Sequence, residues 1–462
     1  MTDSEDPTSL TDREATARRL TDRGLSPKEA RRKAVMFAEA ATALSPGAGG
    51  NDASPLQAHY VPGRIEVLGK HTDYAGGSSM VVAAERGFCL VARACSDRQV
   101  VVTDVCRKEA IRFGLDPDMT PRSGHWSNYP MTVARRVARN FPGARRGAEI
   151  ALASDLPCAA GMSSSSAMIV GFFAVLSAVN TLPNRPEYRE SIIHGGFDLA
   201  GYLATVENGR SFKTLAGDRG VGTLGGSEDH TAILFARPGR IEQFSYCPVT
   251  HERSISLPAG QTFAVGVSGV VAEKTGAARD RYNTASQLAA AVAAVWQREA
   301  GRDEPHLAAA LAGSPDAAAR LRAVLAAAQH SALPSAALSA RLEHFIAENT
   351  EIIPAAGDAL AHGHLGEFGR LVDRSQRAAE DLLGNQVPET SYLAVAARER
   401  GAVAASAFGA GFGGSVWAMV ETARAEAFLA AWAETYRKRF PRHAESSSFF
   451  VTRAGPAAMR VL

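Results

Sequence analysis

The stretch Leu156-Pro-Cys-Ala-Ala-Gly-Met-Ser-Ser-Ser-Ser-Ala167 constrains this chain more than any other. A proline, a glycine and a run of serines lead directly into Ala167-Met-Ile-Val-Gly-Phe-Phe-Ala-Val-Leu176, which is long and apolar enough for a buried helix. A helix that starts this way leaves its first-turn N–H groups without intrahelical partners and uncovered by bulky side chains. Those groups and the helix dipole form an anion site, most often occupied by phosphate. A serine hydroxyl at the same place can also ligate Mg²⁺. The competing reading is a serine-capped helix with nothing bound.

The chain has 462 residues, more than one core usually fills, so two domains are expected. It is 46% hydrophobic and 21% charged, as ordinary globular proteins are. Its net charge of +2, from 50 basic and 48 acidic residues, gives no reason to expect a nucleic-acid or membrane-surface partner. No apolar run approaches the ~20 residues of a membrane helix. The polar, acidic start Met1-Thr-Asp-Ser-Glu-Asp6 does not read as a signal peptide. Cys89, Cys95, Cys106, Cys158 and Cys247 form no C-x-x-C pair and read as reduced thiols of a cytoplasmic protein, mostly filling core space.

Residues 1–25 read as polar and either frayed or loosely helical, within a polar N-terminal extension of residues 1–27. Ser26-Pro27 is an N-cap followed by proline at the first helical position, and apolar residues then repeat at helical spacing until Pro46-Gly-Ala-Gly-Gly50. Next comes Val61-Pro-Gly-Arg-Ile-Glu-Val-Leu-Gly-Lys-His-Thr-Asp-Tyr-Ala-Gly-Gly77, a short strand delivering Arg64, Lys70, His71, Asp73 and Tyr74 to a glycine-bounded loop. Hydrogen-bonding groups of both charge signs beside glycines suit a polyhydroxylated ligand, though a turn with local hydrogen bonds also fits His71-Thr72-Asp73. Gly63…Gly69-Lys70 imitates a P-loop, but the spacing is one residue too long and His71 stands where Ser or Thr is required.

Strands are expected at Val81–Ala84, Phe88–Ala92 and Val100–Val102, separated by charged turns, and at Ala148–Ala153. Helices are expected at Tyr129–Asn140 and Ser191–Glu207. The glycine-rich passage Ala216–His230 brings Asp229 onto a loop, as a catalytic or metal-linked carboxylate or as an ordinary capping residue. A second domain is expected to start near residue 245–260, written as a division into 28–250 and 251–462. In it, Phe263–Ser268 reads as a strand, a long helix begins near Tyr282, and residues 305–385 are helical. Gly409, Gly411 and Gly414 match a dinucleotide fingerprint, but Ser415-Val-Trp-Ala-Met-Val420 alternates like a strand, so the element is strand–turn–strand.

Taken together, Val61–Tyr74, Pro157–Ser165, Gly225-Gly-Ser-Glu-Asp229 and Gly409-Ala-Gly-Phe-Gly-Gly414 resemble the GHMP sugar and small-molecule kinases, and most of all their galactokinase branch. The corresponding family motifs read A-P-G-R-x-N-L-I-G-E-H-T-D-Y, P-x-G-x-G-L-S-S-S-A and G-x-x-D-Q. The resemblance implies an α/β fold: a ribosomal-S5-like N-terminal domain and a ferredoxin-like C-terminal domain, with ATP, Mg²⁺ and a sugar between them. It implies that Gly161, Met162, Ser163, Ser164 and Ser165 hold the phosphates and that Ser165 and Glu207 ligate Mg²⁺. It makes Asp229 the catalytic carboxylate beside Arg64, with Arg64, Lys70, His71, Asp73, Asp229 and Tyr282 lining the sugar pocket. The implied activity is sugar 1-phosphorylation in the cytoplasm by a monomer or weak oligomer, with galactose the leading substrate. A uronic acid, L-arabinose or a non-catalytic sugar sensor are the alternatives. Four departures bear on this. Lys70 replaces a family glutamate that faces the sugar, so a cation there favours an anionic sugar, points away or pairs with a nearby acid. Ala159 replaces a loop glycine, Met162 replaces leucine and His230 replaces glutamine. The segment Ala216–Thr223 is expected to act as a lid.

Overall fold

A computed structural model describes residues 10–44, 54–271, 276–327 and 333–462. Two sheets organise them. The first contains β1 (Gln57–Leu68), β2 (Ser78–Ala94), β3 (Gln99–Asp104), β4 (Glu109–Gly114), β5 (Ala148–Ser154), β6 (Arg240–Ser245) and β7 (Thr250–Ser256). The second contains β8 (Gln261–Val267), β9 (Ala404–Phe408), β10 (Ser415–Glu421) and β11 (Ser448–Thr452). The chain then returns to the first sheet as β12 (Met459–Arg460).

The first sheet has the order β12-β1-β2-β5-β3-β4, with β6 added to β2 and β7 to β6. Its pairs are antiparallel except β3 with β5. Successive side chains of a strand point to opposite faces, and both faces of this sheet are covered. Tyr60, Cys89, Val91 and Ala151 pack with Leu20, Leu25 and Phe37 of α1 (Arg13–Asp22) and α2 (Pro27–Ala43) and the turn between them. Their neighbours Val61, Leu90 and Ile150 pack on the other side. There they meet α3 (Asn128–Asn140), α4 (Ser164–Val179) and α6 (Gly196–Asn208), which follows the short α5 (Pro186–Ser191). After α7 (Glu228–Phe235) the chain enters the hairpin β6–β7.

The second sheet has the order β11-β8-β10-β9. Between β8 and β9 lie α8 (Gly276–Ala300), α9 (Leu307–Ala312), α10 (Ala317–Ala327), α11 (Ser335–Ile346), α12 (Ile353–Ala361), α13 (Leu365–Ala378) and α14 (Pro388–Glu399). α15 (Ala425–Arg439) joins β10 to β11. The resulting β-α-β-β-α-β pattern is the ferredoxin-like arrangement expected for the C-terminal half. One core runs through both halves, from Ile65 and Leu90 to Phe263, Phe368 and Trp417.

Several sequence expectations change. In its described part the N-terminal segment takes the helical alternative and packs on the domain: Asp12 caps α1 by accepting from the amides of Glu14 and Ala15, and α1 buries Thr16, Ala17 and Leu20. β1 spans twelve residues rather than a short run. β2 is one strand, not two, because Glu85-Arg86-Gly87 is absorbed by distant partners. Glu85 accepts from the amide of Ser26 at 2.6 Å, and the guanidinium of Arg86 lies 3.6 Å from the Phe450 ring centre. α6 begins at Gly196 rather than Ser191, α8 at Gly276 rather than Tyr282, and the apolar run after Asp229 is helix α7. The sheet changes between Ser256 and Gln261, so a border at 250/251 falls inside the β6–β7 hairpin. Of the cysteines only Cys89 is buried, while Cys106, Cys158 and Cys247 are exposed. Pro46–Gly50 and Glu273–Thr275 lie outside the described residues. Among the described residues no helix is long and apolar enough to cross a membrane.

Candidate active site

The serine stretch begins α4 without capping it. Ser163 holds the N-cap position with a left-handed backbone (φ 58°) and makes no side-chain cap. Among the described residues, the amides of residues 161–165 make no backbone–backbone hydrogen bond outside regular elements. Amides without such partners are the condition an anion site at a helix start requires. Ala159, in place of the family glycine, does adopt a left-handed conformation (φ 47°), so that position requires what glycine supplies without strain. The C-terminal glycine turn supports the loop from behind. Ser415 Oγ donates to the carbonyl of Ala160 at 2.6 Å, and a Cβ on Gly409 would lie 2.8 Å from the carbonyl oxygen of Gly161.

This loop lines a wide cavity of about 570 Å³, together with Arg107, Trp126, Tyr129, Val221 and Thr223. A narrower cavity adjoins it, lined by Glu66, His71, Asp73, Tyr74, Ser166, Glu207, Glu228 and Tyr282 among others. Arg64, Asp229, Gly409 and Ala410 belong to the walls of both.

Alternation along β1 places Arg64 and Glu66 on one face, with Ile65 and Val67 in the core on the other. Bulges interrupt the β1–β2 register between Pro62 and Arg64 and between Glu66 and Leu68, a device that re-aims side chains next to sites. Arg64 donates to Asp229 Oδ1 through Nε at 2.7 Å, with Nη2 also 2.7 Å away, and Nη1 donates to the carbonyl of Gly161 at 2.9 Å. Glu228 Oε1 lies 3.3 Å from Nε. Burial works against the charge of Arg64, but Asp229, Glu228 and Glu66 outweigh it and hold the guanidinium more firmly protonated than usual. Asp229 stands in the first turn of α7 rather than on a loop.

The Arg64–Asp229 pair leads to Glu207 and the serines expected to hold the metal. Ser166 Oγ lies 2.8 Å from Glu207 Oε2 and 3.2 Å from Asp229 Oδ2. The serine bonded to Glu207 is thus Ser166, whereas Ser165 lines the wide cavity with Ser163 and Ser164. Met162 is buried, and its carbonyl accepts from the amide of Arg64 at 3.3 Å. His230 is buried with Nε2 3.4 Å from Glu207 Oε2.

In the loop after β1, His71 Nε2 faces the carbonyl of Ala410 at 3.1 Å and Nδ1 faces Tyr74 Oη at 2.8 Å. A carbonyl can only accept, so the ring proton belongs on Nε2 and Nδ1 takes the tyrosine proton. Asp73 accepts from the amides of Tyr74 at 2.8 Å and Glu228 at 3.2 Å, while burial raises its pKa. A Cβ on Gly226 would lie 2.5 Å from Asp73 Oδ2, which explains a glycine there.

Lys70 departs from expectation. It is fully buried, donates to Ser406 Oγ at 2.8 Å and Ser375 Oγ at 3.4 Å, and lines neither cavity. The segment 216–223 is not a loose lid. Asp218 is held by Arg135 at 2.8 Å and Arg136 at 3.5 Å, and the amide of Val221 donates to the carbonyl of Glu207 at 2.8 Å.

Three residues escaped the sequence reading. Glu66 stands where the family motif has asparagine, and Ser166 where it has alanine; a position-by-position comparison carried both signals. Glu228 occupies a variable position of its motif, and only the fold brings it to Arg64.

Comparison with known proteins identifies the family. The chain matches the galactokinase galactose-binding signature over residues 51–94, the GHMP kinases N terminal domain over 128–209 and the GHMP kinases C terminal model over 358–438. It is 30% identical to a galactokinase of Roseiflexus sp. (strain RS-1), over 87% of this chain and 92% of that one. Identity to a galactokinase of Chloroflexus aggregans is 29%, over 84% and 90% of the two chains. The fold superposes on Lactococcus lactis galactokinase, solved in complex with galactose, with a TM-score of 0.72 at 21% identity, covering 88% of this chain and 96% of that one. A mevalonate kinase aligns with a TM-score of 0.52 at 12% identity, over 87% and 100% of the two chains. The chain belongs to the galactokinase family of the GHMP kinases.

Proposed function

We propose that this sugar kinase transfers the γ-phosphoryl group of ATP to the C1 hydroxyl of galactose, giving ADP and galactose 1-phosphate. The observation that carries the reading is the shared wall: Arg64 and Asp229 line both the wide cavity and the narrow one. Phosphoryl transfer requires positioning and charge neutralisation rather than covalent help from the protein. We assign the wide cavity to ATP, with the loop from Gly161 to Ser165 on its phosphates. We assign the narrow cavity to the sugar, with Arg64, His71, Asp73 and Tyr282 as contacts.

Asp229 acts on the attacking hydroxyl. Arg64 engages Oδ1 with two nitrogens, so Oδ2 is the oxygen assigned to the sugar proton. Arg64 also fixes the carboxylate relative to the loop through the carbonyl of Gly161. Glu207 and Ser165 are the assigned Mg²⁺ ligands. Carboxylate and hydroxyl oxygens beside a phosphate site suit Mg²⁺, which binds through few protein oxygens plus phosphate. When bound, the ion supplies charge neutralisation on the phosphates.

A uronate fits poorly. Glu66, Asp73, Glu207, Glu228 and Asp229 line the narrow cavity and Lys70 does not, so the cation that favoured an anionic sugar is directed elsewhere. A neutral hexose fits. The free cysteines are compatible with a reducing cytoplasm.

ADP release measured against galactose, glucose, L-arabinose and galacturonate tests the reading. Galactose should give the highest kcat/KM. No galactose-dependent ADP release, or a preference for galacturonate, would overturn it.

A further inference from the structure

Two departures from the family motif concern the same strand and the loop after it. At position 70 the family glutamate, which faces the sugar, is replaced by Lys70; at position 66 the family asparagine is replaced by Glu66. Lys70 turns into the protein, where its ammonium meets Ser406 and Ser375. Glu66 lines the narrow cavity beside Arg64, His71 and Asp73. It is 3% exposed, and its Oε1 has no hydrogen-bond partner. Its Oε2 lies 3.9 Å from Arg64 Nη2, too far for a hydrogen bond. A buried carboxylate oxygen left unsatisfied is costly, and its persistence beside a cavity points to a donor that arrives with the ligand.

Resting on the sugar-kinase reading above, we propose that Glu66 is a sugar-contacting, specificity-determining residue: its carboxylate accepts a hydrogen bond from a hexose hydroxyl, the role that the family motif gives to position 70. With Glu in place of Asn at 66 and Lys in place of Glu at 70, the acceptor moves from the loop onto β1. The acid that serves the interior is a different one: Glu348 Oε1 accepts from the amide of Gly69 at 2.8 Å and from Ser375 Oγ at 3.0 Å. Glu66 is therefore not needed to satisfy the serine that contacts Lys70.

The test pairs the native chain, Glu66→Gln and Glu66→Asn with galactose and its monodeoxy analogues at C2, C3, C4 and C6. Thermal melting checks that each variant folds, and the asparagine variant, carrying the family's own residue, stands in if glutamine does not. The expected result is a KM for galactose raised roughly 10-fold or more in the variants, the size for a hydrogen bond to a charged group, with KM for ATP within about twofold. One deoxy sugar should lose the same factor with the native chain and nothing further with the variants, which identifies the contacted hydroxyl. An unchanged galactose KM in the variants would overturn the proposal. So would losses that are additive for every deoxy sugar, since Glu66 would then be a buried counter-charge only. If the native chain phosphorylates no hexose, the sugar-kinase reading itself fails and takes this proposal with it.

Discussion

At the scale of single residues, the proposed chemistry rests on Arg64, Asp229, Ser166 and Glu66. An Asp229→Asn variant keeps the shape and the Arg64 contact but gives up the proton acceptor. Its kcat should fall by about 10²- to 10⁴-fold, the usual worth of a positioned base, while ATP binding measured by calorimetry is retained. Retention of near-native kcat would remove Asp229 from the reaction. Ser166 tests a finer point. Its hydroxyl spans Glu207 and Asp229, where the family motif has alanine. Ser166→Ala should fold normally and lower kcat roughly 3- to 30-fold, the range for losing one hydrogen bond to a carboxylate. A shifted pH–rate profile would accompany it if the hydroxyl tunes Asp229, and an unchanged kcat would make Ser166 filler. Glu66 also bears on stability. Burial pushes its carboxyl up to about 7, against the pull of Arg64 and Lys70. The unfolded chain loses this proton near the ordinary carboxylate range, so between about pH 4.5 and 7 the folded state binds more protons and stability falls as pH rises. Glu66→Gln removes that penalty. It should be more stable than the native chain at pH 8 by about 1–3 kcal/mol, with the gap closing towards pH 5, as followed by denaturant melts at both pH values. A stabilised variant with weakened sugar binding would mark Glu66 as a residue kept for function at the expense of stability.

At the scale of elements, the phosphate loop is held in shape by a turn far along the chain. Gly409 has φ 82° and its Cα faces the carbonyl of Gly161, while Ser415 bonds Ala160. Gly409→Ala places a methyl against that carbonyl and strains the turn by about 1–3 kcal/mol. The expected outcome is a folded protein with KM for ATP raised more than KM for galactose. Equal effects on both would mean that the turn supports the site in general rather than the loop. The strand β2 makes a related point about elements. Its charged centre reads as a turn locally, yet Ser26, Thr452 and Phe450 partner those residues and keep the strand continuous.

At the scale of the whole molecule, the two sheets share one core, and the site lies where their loops meet. The first sheet is closed on its far side by α1 and α2; α1 looks dispensable in its polar sequence, yet Leu20 and Phe37 are buried against Tyr60 and Val91. Leu20→Ala should cost about 2–5 kcal/mol, read as a lower urea midpoint, with kcat unchanged because the site is on the other side of the sheet. A midpoint unchanged within error would return α1 to the status of an extension.

The glycine- and serine-bearing motifs were legible because their chemistry is local. A helix start with small residues exposes its amides wherever the chain places it, and Asp73, His71 and Tyr74 share one loop. The fold class came with the family resemblance that those motifs carry, whereas the strand–turn–strand around Gly409–Gly414 followed from local periodicity. What only the tertiary structure decided is which side chains meet. Arg64 and Asp229 are 165 residues apart, and Lys70 finds Ser406 at a separation of 336. A lysine's direction depends on whether buried acceptors wait behind its strand or a cavity opens before it, and neither is written in the neighbouring residues. For this reason the motif position alone assigned Lys70 to the sugar, while packing turned it inward and left Glu66 at the cavity wall.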